Sequence, residues 1–205
     1  MKIAIIGTGN VGGALATKWA NAGHEIFLGV KDTRNFKGQK LLVNPATSVH
    51  SILEAVHAAT VVVIATPAQV AIEVAKSLGD TNGKIIIDTM NIIKGNGPSG
   101  FNNTSDAILA NTQSKELVKC FNTTGYNNME DAQYGETTLD IFMAGDSILA
   151  KTTAKQLAKD IGFADCYDVG GNDKFQLMEQ FAWFWINLAI FQNQGREIGF
   201  KLLKR

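Results

Sequence analysis

The hexapeptide "GTGNVG", Gly7 to Gly12, stands directly after a short apolar run, Lys2 to Ile6, and opens a helical pattern over Val11 to Ala22. Few folds accept that order. A G-x-G-x-x-G turn between strand and helix lets the backbone turn tightly and lets a diphosphate reach the free N–H groups of the helix N-terminus. The glycine spacing alone is a weak signal. Strand, spacing and helix together predict a dinucleotide held by Gly7, Thr8, Gly9, Asn10, Val11 and Gly12.

The following residues repeat the alternation. "EIFLGV" (Glu25 to Val30), "TVVVIA" (Thr60 to Ala65) and "KIIID" (Lys84 to Asp88) are apolar on both faces, as buried parallel strands are. Helical segments fall between them at Ser51 to Ala59, with Ser51 as N-cap, and at Ala68 to Leu78. A shorter element near Ala46 to Val49 supplies a third strand. The expected class is α/β, a doubly wound Rossmann-type parallel sheet. Beyond the glycine- and asparagine-rich loop Lys94 to Asn103 lie a helix over Ser105 to Ala110 and a strand over Leu117 to Phe121. Residues 1–123 are read as the dinucleotide-binding domain. Residues 124–205 are read as a small C-terminal α/β lobe with strands at Asp140 to Gly145 and Cys166 to Val169, a helix over Ile148 to Ile161, and a long apolar helix at its end.

That last helix, Phe175 to Phe191, falls short of the roughly 20 residues of a membrane span and contains Glu179, Gln180 and Asn187. Its apolar residues run nearly all the way round, which predicts burial against protein and a homodimer. Trp183, Phe184 and Trp185 are candidates for an acceptor-site wall or for dimer core. Formal net charge is zero, so neither nucleic acid nor an anionic membrane is an expected partner. Cys120 and Cys166 form no C-x-x-C pair, and buried reduced thiols without a metal are expected. The first strand begins at Lys2 without a leader pattern, and a cytoplasmic location is the expectation.

The end of the second strand selects the dinucleotide. In "LGVKDTRN", Val30 closes the strand, and Lys31 and Arg34 are placed to surround a 2′-phosphate, which favours NADP(H). Asp32 between them keeps NAD open. At the carboxyl ends of the next strands, Ala65, Thr66, Pro67 and Gln69 are placed on one side of a nicotinamide and Met90 and Asn91 on the other.

A proton donor is harder to find. His24, His50 and His57 read as structural residues away from the cofactor edge, and Tyr126 is the one donor near it. No catalytic acid or base is assigned. Hydride transfer between two flat rings held face to face needs orientation more than an acid, and "CFNTTGYNNM" (Cys120 to Met129) offers uncharged hydrogen-bonding groups beside an apolar wall. Asn122 and Thr123 are read as cofactor contacts, and Thr124, Gly125 and Tyr126 as the second half of a ring pocket. The substrate is then a small-molecule hydride acceptor.

"GTGNVG", "GVKDTRN", "VVVIATP", "FNTTGYNNM", "FMAGD" and "GREIGFKLL" together resemble the coenzyme F420-dependent NADP oxidoreductases, whose Rossmann domain is also similar to the reductase domain of the STEAP metalloreductases. The resemblance implies phosphate contacts at Thr8 to Val11, a 2′-phosphate at Lys31 and Arg34, nicotinamide at Thr66 and Pro67, and a deazaflavin at Thr124 to Tyr126. Archaeal members carry serine and arginine at Val30 and Lys31, and isoleucine and proline at Thr124 and Gly125. FMN or FAD is therefore an alternative second coenzyme to F420. Two other readings stay open: reduction of a small imine or ketone, as in the similar pyrroline-carboxylate reductases, and a non-enzymatic NADP(H)-binding redox sensor.

Overall fold

The computed structural model describes residues 1–205. Ten strands and seven α-helices alternate: β1 (Lys2–Ile6), α1 (Asn10–Asn21), β2 (Glu25–Val30), β3 (Thr47–Ser51), α2 (Ile52–Ala58), β4 (Val61–Ile64), α3 (Ala71–Ser77), β5 (Ile85–Asp88), α4 (Thr104–Ala110), β6 (Leu117–Cys120), α5 (Tyr126–Glu130), β7 (Gln133–Tyr134), β8 (Thr137–Thr138), β9 (Ile141–Ala144), α6 (Ile148–Asp160), β10 (Cys166–Asp168) and α7 (Phe175–Ile186). Eight strands form one sheet in the order β10-β9-β6-β5-β4-β1-β2-β3. β7 and β8 make a separate hairpin.

Both faces of the sheet are apolar because its central strands carry apolar residues on both sides, as in Ile3 to Ile6, Val61 to Ile64 and Ile85 to Ile87. Ile3, Ile5, Val61, Val63, Ile85 and Ile87 belong to the core under α1 and α6. Their neighbours Ala4, Ile6, Val62, Ile64 and Ile86 belong to the second core, under α2, α3 and α7. That two-sided burial is what holds parallel strands in register. Trp19 pins the first layer: it has no exposure, its Nε1 donates to the Leu157 carbonyl at 2.9 Å, and it meets Phe121 edge-on at 5.4 Å. Ser51 caps α2 in a reciprocal capping box with Glu54, as the sequence predicts.

The C-terminal third departs from expectation. β9 runs antiparallel to β6, and β10 runs parallel to β9, so residues 124–205 extend the main sheet instead of building a lobe with a sheet of its own. Fully buried Ile141 and Ala144 make this favourable, because a free edge of β6 would leave its ladder groups unpaired. Nor does the chain end in a long apolar helix. α7 has 12 residues, a five-residue π-helix (Asn187–Phe191) follows it, and no helix is long and apolar enough to cross a membrane. The remaining residues fold back along the body. Asp140 anchors them: its N–H donates to the Phe200 carbonyl at 3.0 Å, and its carboxylate accepts from Lys201 Nζ and the Leu202 N–H, each at 2.9 Å.

Candidate active site

Every residue expected at the cofactor site except Gln69, which begins the next helical turns, and Arg34 lies in or near the turns at the carboxyl ends of β1, β2, β4, β5 and β6, along one edge of the sheet. The glycine turn is sterically determined. Gly7 has φ +103°, and a Cβ there would stand 2.6 Å from the Ala65 carbonyl oxygen. A Cβ on Gly12 would collide with the Gly7 carbonyl. Gly9 is different, since a Cβ there meets nothing within 4 Å. The first turn of α1 holds no acidic residue, and no side chain caps it. Its free N–H groups and positive dipole end face open space beside Gly9, the environment a diphosphate requires.

Beside this turn a cavity of about 300 Å³ is bounded by Gly7, Gly29, Val30, Phe36, Ile52 and Thr66, with Lys31 and Asp32 at its rim. It suits the adenosine half of a dinucleotide. Gly29, Phe36 and Ile52 went unassigned in the sequence, although a glycine beside the strand end is the signal that marks them. A Cβ on Gly29 would lie 2.5 Å from Ile6 Cδ1. The two cations expected at the 2′-phosphate already have partners. Lys31 Nζ lies 2.7 Å from Glu73 Oε1, and Arg34 Nε lies 3.6 Å from Asp32 Oδ1. Asp32 Oδ1 also accepts the Arg34 backbone N–H at 2.9 Å, which turns the carboxylate toward its own loop. Arg34 does not line the cavity.

Across the edge, Thr66 Oγ1 contacts Met90 Sδ at 3.3 Å. Asn91 Nδ2 donates to the Asn122 carbonyl at 2.7 Å, and Asn122 Nδ2 donates to Asn91 Oδ1 at 2.9 Å and to the Met178 carbonyl at 3.2 Å. These bonds fasten the β5 turn to the β6 turn. Asn122 and Thr123 are each 2% exposed, so their side chains serve the edge from inside it. Phe121, before them, has φ +63°, a conformation costly for a side chain of its size.

Beneath these turns lies a cluster the sequence did not announce. Lys119 has no exposure, and its Nζ lies 3.0 Å from Asp88 Oδ2, 2.9 Å from Glu179 Oε1, 2.9 Å from the Met90 carbonyl and 2.9 Å from Thr104 Oγ1. Ser105 Oγ donates to Asp88 Oδ2 at 2.6 Å, and Glu179 Oε2 accepts the Ile92 N–H at 2.8 Å. Burial by itself would lower the Lys119 ammonium, but the two carboxylates outweigh it and hold the group above the ordinary lysine range. A locked, charged lysine does not exchange protons with a substrate.

The strip expected to hold a second ring is occupied on one side. A Cβ on Gly125 would lie 2.6 Å from Trp185 Cη2, so the ring that packs against this glycine is the chain's own indole. Trp185 is 3% exposed and donates from Nε1 to the Ile198 carbonyl at 2.9 Å, whereas Trp183 and Phe184 are 38% and 51% exposed. Asn128 Nδ2 reaches both Thr124 Oγ1 and the Ile198 carbonyl at 2.7 Å. Thr124 and Tyr126 stay half-buried at the edge, with Arg196 6.0 Å from the Tyr126 ring. His24 bonds Asp160 at 2.9 Å, far along the chain from the edge. The turns themselves, residues 65–67, 89–91 and 121–126, carry no charged side chain, and Arg196 stands over the Tyr126 ring at their end.

Similar proteins carry the same architecture. A protein from Arthrobacter sp. FB24, named for a conjectured F420-dependent NADP-reductase activity, is 25% identical over all of both chains, with a TM-score of 0.88. A hypothetical protein from Sinorhizobium meliloti is 22% identical over 83% of this chain and 85% of its own, with a TM-score of 0.72. A reductive aminase from Aspergillus terreus, solved with NADPH and ethyl levulinate, is 15% identical over 94% of this chain and 62% of its own, with a TM-score of 0.66. The last two likenesses are likenesses of fold. Residues 2–92, which hold the glycine turn, the β2 loop and the carboxyl ends of β4 and β5, match the family described as NADP oxidoreductase, coenzyme F420-dependent.

Proposed function

We propose that the chain is an NADP(H)-dependent oxidoreductase that passes hydride between the nicotinamide and the flat ring of a deazaflavin or flavin. One observation carries the reading: the carboxyl edge from β4 to β6 presents Thr66, Asn91, Thr124 and Tyr126, no free carboxylate, imidazole or amine, and the Tyr126 phenol as its one proton donor, because the ammonium there, Lys119, is enclosed in ion pairs. Ring-to-ring hydride transfer moves two electrons and one proton as a unit. It asks the protein for a dry, fixed alignment of two rings at roughly 3 to 3.5 Å and for little else.

In this reading the first turn of α1 binds the diphosphate, the Gly29 cavity takes the adenosine, and Lys31 exchanges its Glu73 partner for the 2′-phosphate. The Asn91–Asn122 pair fixes the two turns that border the nicotinamide. Coenzyme F420 or a flavin would supply the accepting ring carbon or nitrogen. Reduction of a small imine or ketone is the weaker reading, since that chemistry calls for a proton donor, which only the Tyr126 phenol offers at this edge, and the reductive aminase has a large part of its chain without a counterpart here.

The test is anaerobic oxidation of NADPH, and separately of NADH, by the purified protein with F420, FMN and FAD offered in parallel. Saturable turnover with F420 or a flavin and preference for NADPH are expected. Tight NADPH binding with no turnover against any of the three rings would overturn the reading.

A further inference from the structure

A second cavity, of about 370 Å³, opens on the other side of the α1 first turn. Thr8 lines both cavities, so the turn forms the partition between them. The second is bounded by Gly9, Gly13, Lys37, Lys40, Tyr126 and Glu130. It joins three elements distant in sequence: the helix that receives the diphosphate, the loop after β2, and α5, whose first residue is Tyr126. In the reading proposed above the dinucleotide runs from the Gly29 cavity across the Gly9 and Asn10 end of this space to the β4 and β5 turns, and Lys37, Lys40, Tyr126 and Glu130 bound the remainder.

Its charge is specific. Lys31 and Arg34 are ion-paired, but no carboxylate lies within 4.0 Å of Lys37 or Lys40, the other two cations of the same loop. Two ammonium groups face one carboxylate, Glu130, across the cavity, which leaves it net positive. The loop is fixed in place because Thr8 Oγ1 donates to the Lys37 carbonyl and Gly38, at φ +101°, packs on the Thr8 side chain. Gly13 adds room: a Cβ there meets nothing within 4 Å, so the cavity wall lacks a side chain where a helix would ordinarily carry one.

We infer that this cavity binds the phosphate-bearing side chain of the ring acceptor, with the ring itself beyond Tyr126 and Lys37 and Lys40 on the anion. The inference rests on the ring-acceptor function proposed above and narrows it to acceptors with an anionic tail. A ring whose edge lies at Thr124 to Tyr126 directs a flexible polyol chain past Tyr126 toward the α1 turn. Two unpaired ammonium groups then meet a phosphate of that chain, a charge-assisted contact that a neutral ring analogue does not make.

The experiment compares equilibrium binding of FMN with riboflavin, and of F420 with its tail-free deazaflavin, to the NADP+-loaded protein at low salt. Wild-type protein is expected to bind the phosphorylated member of each pair at least about tenfold tighter, and the advantage falls as salt rises. In the Lys37→Glu/Lys40→Glu double variant that ratio falls to near one while NADP+ affinity stays within about twofold. Gly13→Gln, which fills the cavity from a helix position free of clashes, lowers the ratio without reversing charge. Equal binding of tailed and bare rings to wild type overturns the inference and leaves the ring-acceptor function intact. A loss confined to NADP+ affinity in the double variant overturns it too, by giving the cavity to the dinucleotide. Failure of all four rings to bind overturns both.

Discussion

Lys119 Nζ and Asp88 Oδ2 stand 3.0 Å apart with no solvent exposure on either side chain, directly beneath the turns that border the candidate nicotinamide site. Removing one member of such a pair strands a buried charge. Lys119→Met leaves Asp88 and Glu179 without a cation and should cost about 3–5 kcal/mol, read from the urea midpoint at constant m-value. The Met90 carbonyl and the Ile92 N–H lose their fixed partners in the same variant or through Glu179, so the KM for NADPH should rise as well. A cost under about 1 kcal/mol would show that the carboxylates hold the turn unaided.

Gly9 and Gly12 separate ligand binding from folding. Gly9→Ala meets no protein atom, so its melting temperature should stay near that of the wild type while NADPH affinity drops by about tenfold or more, because the Cβ would enter the space proposed for the diphosphate. Gly12→Ala collides with the Gly7 carbonyl and should lower stability by about 1–3 kcal/mol before any ligand is added. Thermal melts with and without NADPH check both. Equal behaviour of the two variants would remove the diphosphate from Gly9.

Trp185 reports on the packing at Gly125. Gly125 has φ −76°, an ordinary backbone value, so Gly125→Ala is limited by the indole contact alone. The substitution should displace Trp185 from the Ile198 carbonyl, cost about 1–3 kcal/mol and red-shift the Trp185 emission, with NADPH affinity preserved. Fluorescence of a variant lacking the other two tryptophans, Trp19 and Trp183, measures it.

With Lys31 proposed to take the 2′-phosphate, Glu73, which pairs with it at 2.7 Å, would compete for the same ammonium. Glu73→Gln should therefore tighten NADPH several-fold and leave NADH unchanged, while Lys31→Ala weakens NADPH by about tenfold. Both side chains are exposed, so neither change should move the melting temperature by much. An equal effect on the two coenzymes would detach Lys31 from the phosphate.

Stability should fall on the alkaline side. Burial, followed by the bond to Cys166, pushes the Cys120 thiol well above the ordinary range, so the folded chain keeps a proton that the unfolded chain releases above pH about 8.5. The stabilisation is complete below that pH and is lost as pH rises toward the folded value, at a slope of about 1.4 kcal/mol per pH unit. Lys119, also raised, adds its own loss only above about pH 10.4. Cys120→Ala should flatten the slope between about pH 8.5 and 10, measured by urea unfolding across that range.

Features with a local cause were legible in the order of residues. β1 and β2 fall on the residues predicted for them, Ser51 caps α2, and the glycine turn lies between strand and helix, because apolar runs, cap residues and glycine spacing act over a few neighbouring positions. Even there the third dimension intervened. Pro67 closes the turn in a short 3₁₀ segment, so α3 starts at Ala71 and not at Ala68. Long-range packing set the rest: β9 turns antiparallel onto β6, Lys119 is sealed with Asp88 and Glu179, and Trp185 takes the space beside Gly125. Each depends on groups far apart in the chain, and which partners meet is set by what must be buried together: an ammonium enters a core only with its carboxylates, and an indole only where a glycine makes room.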